Sequence, residues 1–121
     1  MSREIELTHA RMVAALVKPG EQLLGDMTPE SAHLLHMAIG ISGEAGELLD
    51  AVKKHAVYRK PLDLENVIEE LGDLEFYLCG LRLALGVTRG DTLAANTSKL
   101  GVRYAAGYSN EAAQLRADKQ S

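Results

Sequence analysis

Apolar positions along this chain of 121 residues recur at intervals of three and four rather than two, and Ala and Leu outnumber Val and Ile, a pattern that predicts helices throughout. A first amphipathic stretch over about residues 3 to 17 carries Ile5, Met12, Ala15 and Leu16 and closes at Pro19-Gly20. Glu21 to Met27 reads as a loop or short turn. Thr28-Pro29-Glu30 then supplies a hydroxyl cap, a proline at the first helical position and an acid near the positive end of the helix dipole. The helix it opens extends to about Val57, some ~43 Å at 1.5 Å per residue, with a kink expected at its glycines. Arg59-Lys60-Pro61-Leu62 breaks the pattern, Asp63 caps a third helix to about Leu85, and Gly86 ends it. Thr88-Arg89-Gly90-Asp91 matches a capping box and opens a fourth helix to about Tyr104. From Ala105 onward the chain turns small and polar, the pattern of a frayed tail or weak terminal helix. The expected architecture is a single all-α domain over residues 1–104, a four-helix bundle, followed by a polar tail over 105–121.

The charge is unevenly placed. Seventeen acids against thirteen bases give a net −4, yet residues 44–75 hold nine acids and four bases, whereas residues 76–121 hold three acids and six bases. An acidic chain without a basic stripe interleaved with aromatics does not suit a nucleic-acid polymer. No apolar run reaches the ~18 to 20 residues needed to span a bilayer, and the polar opening Met1 to Glu6 is not a signal peptide, so a cytoplasmic location is expected. The single cysteine, Cys79, excludes an intrachain disulfide and a thiolate metal cluster; its apolar neighbours predict a buried small hydrophobe.

Within the acidic stretch, Glu44 and Glu47 stand at i and i+3, one face of a helix, and Glu70 and Asp73 repeat that spacing on the next. A short connection makes consecutive helices antiparallel neighbours, so both pairs can face one seam. Each pair alone would read as solvated surface acid; together, embedded in apolar runs, four carboxylates in one volume repel unless a cation joins them. An all-oxygen set suits Mg²⁺, with Mn²⁺ as a substitute. Glu69 and Glu75 point in other directions on the same helix.

Gly40, Gly43 and Gly46, and then Gly72 and Gly80, lie inside the two predicted helices at about 1 kcal/mol each relative to alanine. Close approach of a helix or ligand is the expected compensation. Further on, Asn96, Lys99 and Arg103 form one stripe of a helix with Tyr104 adjacent, a set able to hold polyphosphate. His36 lies within about 20° of the direction of Glu47 on a helix and would line a nucleobase end of a cleft, against the blander role of a partly buried histidine. Glu30 and His33 make one Glu-x-x-His pair, where a di-iron bundle needs two.

Gly43-Glu44-Ala45-Gly46-Glu47-Leu48-Leu49-Asp50-Ala51-Val52, then Glu69-Glu70-Leu71-Gly72-Asp73-Leu74, then Asn96 to Tyr104, resembles the MazG-like superfamily of all-α nucleoside triphosphate pyrophosphohydrolases over about residues 30 to 105. The family's Glu-x-x-Glu and Glu-x-x-Asp match Glu44, Glu47, Glu70 and Asp73; Glu75 departs from it, where relatives tend to carry an apolar residue. The resemblance implies Mg²⁺-dependent cleavage between the α and β phosphates of a nucleoside triphosphate, releasing a monophosphate and pyrophosphate. Glu44 or Glu47 would orient or deprotonate the attacking water, and Lys99 and Arg103 would offset charge on the leaving group. It also implies a homodimer or homotetramer with the nucleoside near a subunit boundary, where the first helix, around His9 and Met12, would complete a neighbour's base pocket. Some phage members of similar size act on purine deoxynucleotides such as dGTP. Two other readings stand beside it: a phosphoribosyl-ATP pyrophosphatase of histidine biosynthesis, and a non-catalytic helical oligomer with a vestigial metal site.

Overall fold

The computed structural model describes residues 1–119, and among them there are helices and no strands. Six α-helices follow in order: α1 (Ser2–Leu16), α2 (Gly20–Asp26), α3 (Pro29–Ala56), α4 (Leu64–Leu85), α5 (Arg89–Arg103) and α6 (Asn110–Leu115), with a closing 3-10 turn over Ala117–Lys119. No described helix is long and apolar enough to cross a membrane.

The chain divides into two compact units, Met1–Ala32 and His33–Ser121. In the first, Glu21 to Met27, expected as a loop or turn, belongs instead mostly to the helix α2. Extended Pro19 feeds its first turn, Glu21 sits at the positive end of its dipole, and the 2.7 Å ion pair from Lys18 to Asp26 ties one end to the other. Its seven residues, about two turns, are hidden in the sequence by Gly20 and Gly25, which read as breakers.

The starts of α3, α4 and α5 and the end of α4 are fixed by the predicted local chemistry. Thr28, just before α3, and Ser31, in its first turn, cap it reciprocally, Ser31 N–H donating to Thr28 Oγ1 at 3.1 Å and Thr28 N–H to Ser31 Oγ at 2.9 Å. Asp63 accepts from the Asn66 N–H at 3.1 Å to start α4. Gly86, left-handed at φ 69°, ends it while the Val87 N–H reaches back to the Arg82 carbonyl at 3.0 Å. The Thr88–Asp91 capping box is complete, with bonds of 2.9 and 3.0 Å. Between α3 and α4, Arg59 adopts φ 56°, and His55 Nδ1 lies 2.8 Å from the Lys60 carbonyl, an acceptor that requires the proton on Nδ1. His55 thus holds the turn that returns the chain.

α3 runs unbroken through its three glycines. Met37 on α3 meets Gly80 on α4, Gly40 meets the Tyr77 ring, and Glu44 meets Asp73 and Glu70, so position falls along α4 as it rises along α3. That register is antiparallel. Two of the five internal glycines are explained by it, because a Cβ on Gly40 would overlap Tyr77 and one on Gly80 would overlap the Met37 sulfur, whereas Gly43, Gly46 and Gly72 face open space. Among the described residues Met37 and Ala51 are the buried hydrophobic ones, and the apolar faces of both helices are otherwise largely open. Cys79 is exposed rather than buried, a correction to the sequence expectation, because the apolar run it belongs to on α4 is not covered within the chain.

Candidate metal and nucleotide site

Carboxylate oxygens of Glu44 from α3 and of Glu70 and Asp73 from α4 lie within 4.8 Å of one another. The spacing of three on α4 puts Glu70 and Asp73 one above the other, and the antiparallel register brings Glu44 opposite both. Glu70 is the innermost: its Oε2 is enclosed by protein and has no hydrogen-bond partner. Burial, first, and then hydrogen bonding to Glu44 and the charges of Glu44, Glu47 and Asp73 push its carboxyl above the ordinary glutamate range. Three hard carboxylate oxygens in that compass, beside a carboxyl with an unpartnered oxygen, suit a divalent cation such as Mg²⁺ or Ca²⁺.

Glu47, one turn on from Glu44, is exposed and stands outside this group of three, near enough to act on Glu70 through its charge. Glu75 faces solvent and lies 3.8 Å from Arg82. Lys54 pairs with Asp50 at 3.0 Å, and Lys53 lies 5.6 Å from the Tyr58 ring.

A cavity of about 300 Å³ beside the carboxylates is lined by Glu44, Asp73, Phe76 and Tyr77. Phe76 and Tyr77 were not singled out by sequence, though they stand at i+3 and i+4 from Asp73, the positions a helix stacks above it. Their rings meet edge to face at 5.1 Å, and Tyr77 meets His36 at 6.3 Å. His36 therefore buttresses the cavity wall. Phe76 also lines an apolar groove of about 540 Å³, together with His33, Met37, Cys79, Gly80 and Leu83.

Asn96, Lys99 and Arg103 share α5, as the spacing required, with Tyr104 at its C-terminal cap, but none lines the cavity beside the acids. Instead α5 packs against α6 and the 3-10 turn. Arg103 Nε donates to Asp118 Oδ1 at 2.8 Å and its terminal nitrogen to Oδ2 at 3.3 Å. Tyr104 stacks near Tyr108 at 5.3 Å. The chain's C-terminal stretch, Asp118 included, carried no signal in the sequence beyond its polarity.

The family model of the MazG nucleotide pyrophosphohydrolase domain matches residues 33–106. That segment holds α3 from its second turn, α4 and α5, with every carboxylate of the cluster and the whole basic stripe, and the chain belongs to this family. No curated protein and no solved structure matches the chain.

Proposed function

We propose that the protein is a Mg²⁺-dependent nucleoside triphosphate pyrophosphohydrolase of the cytoplasm, cleaving a (d)NTP between its α and β phosphates to a monophosphate and pyrophosphate. The observation that carries this is the convergence of Glu44, Glu70 and Asp73 around an unpartnered, enclosed carboxylate oxygen in a chain of this family. Those three would hold the ion, with Glu47 as a fourth carboxylate reaching from the next turn. Bound there, Mg²⁺ would neutralise phosphate charge and lower the pKa of a coordinated water. Glu44 or Glu47 takes the proton of the attacking water, and Phe76 and Tyr77 wall the reacting phosphates from solvent on one side. Lys99 and Arg103 supply positive charge to the departing pyrophosphate.

Incubation with Mg²⁺ and each common NTP, dNTP and phosphoribosyl-ATP, with pyrophosphate and orthophosphate measured separately, tests the reading. Pyrophosphate from a triphosphate, with purine deoxynucleotides such as dGTP among the substrates, is expected. Orthophosphate as the main product would remove the αβ cleavage, turnover confined to phosphoribosyl-ATP would move the chain to histidine biosynthesis, and no turnover at all would leave a scaffold.

A further inference from the structure

We propose that the C-terminal segment 110–119 is a displaceable latch on the nucleotide site: the Asp118 carboxylate occupies the guanidinium fork of Arg103 that polyphosphate would otherwise take. This rests on the reading of Arg103 as a phosphate anchor. The two contacts, 2.8 Å from Nε to Oδ1 and 3.3 Å from the terminal nitrogen to Oδ2, use the parallel donors with which arginine grips a phosphate. Carboxylate and phosphate present the same pair of acceptor oxygens, so both cannot hold this edge of the fork at once. Arg103 is 15% exposed and Asp118 7%, which makes the pair a seated contact and not a loose surface one. Each holds the other in its charged form, Arg103 raised and Asp118 lowered by their mutual bond.

The segment is built to come away. Residues 107–119 lie beyond the stretch that matches the family, and they begin at Gly107, whose φ of 92° turns the chain back onto α5. α6 has six residues, too short to be stable alone, and it is started by the Ser109 side chain accepting from the Ala112 N–H at 3.0 Å. Asp118 is thus delivered to Arg103 by a short, locally capped element. A latch closed nine tenths of the time lowers the apparent affinity for phosphate about tenfold.

The test is pyrophosphate binding by calorimetry, in Mg²⁺, to the full chain and to Asp118→Asn, joined to hydrogen exchange of residues 110–119 in the unaltered protein with and without pyrophosphate. About tenfold tighter binding by Asp118→Asn is expected, with faster exchange in 110–119 when pyrophosphate is added to the native chain. Equal or weaker binding by the variant, slower exchange on ligand addition, or no binding by either protein overturns the latch. The exchange measurement needs no variant and so survives a substitution that fails to fold. Because neither readout requires turnover, a chain that cleaves no nucleotide yet shows both effects keeps the latch and loses the enzyme, and the converse result separates them the other way.

Discussion

Glu44 on α3 and Glu70 on α4 face each other across the seam with carboxylate oxygens within 4.8 Å, although both are carboxyls. Two carboxylates in that position repel, so without a cation the fold favours a proton on Glu70. Its value in the folded chain is raised above the ordinary 4.5. The folded state therefore binds more protons than the unfolded one between those two values. The stability this proton provides is full below pH 4.5 and is lost as pH rises through the raised value. In metal-free buffer the melting temperature of the native chain should fall across that interval relative to Glu70→Gln, and Mg²⁺ should restore it increasingly as pH rises. Parallel melting curves for the two proteins would sink this account.

Asp73→Asn is expected to abolish metal-dependent turnover while retaining the helical circular dichroism, because it removes one carboxylate of the proposed ion site from an exposed position. Glu47→Gln should also eliminate turnover, by removing the carboxylate that completes the set or accepts the proton. Equilibrium dialysis distinguishes those roles: Asp73→Asn should weaken Mg²⁺ binding at least tenfold, and retention of full activity by either variant would remove that residue from the site.

The internal glycines differ in what surrounds them. Gly40→Ala drives a methyl into the Tyr77 ring, and overpacking of about 1 to 3 kcal/mol should outweigh the ~1 kcal/mol gained in helix propensity. Gly46→Ala meets nothing within 4 Å and should gain up to ~1 kcal/mol, seen as a melting temperature higher by several degrees. A loss at Gly46 instead would mean that another surface, from a second subunit or a ligand, closes on that face.

Phe76 is 68% exposed and Leu83 76%, along the same groove as the exposed Cys79. Contiguous apolar surface of this kind is costly in water. We expect a second copy to cover it, giving a homodimer or homotetramer by light scattering, with Leu83→Glu shifting the mass toward 13.1 kDa. A monomeric mass for the native chain at working concentration, with activity retained, would rule the assembly out.

Local chemistry was legible from sequence wherever a few adjacent residues settle it. The Asp63 and Thr88 caps start α4 and α5 and Gly86 stops α4, and the i, i+3 acids Glu70 and Asp73 are two of the three carboxylates that the fold brings together. α2 does not show in the sequence pattern because Gly20 and Gly25 signal breaks, whereas the Lys18–Asp26 ion pair that spans the helix is not a local signal. Cys79 was misplaced because an apolar run predicts burial without saying which surface does the burying.

The sequence by itself determined that the chain is helical, where the long helices end and which carboxylates could share a cation, since these follow from backbone capping and a fixed 3.6-residue period. Tertiary structure decided the rest. Gathering Glu44 with Glu70 and Asp73 while leaving Glu47 at the margin, walling the cavity with Phe76 and Tyr77, and seating Asp118 in the fork of Arg103 all depend on the register between helices and on a chain reversal at Gly107. Those are set by contacts between residues far apart in the chain, which no local pattern encodes.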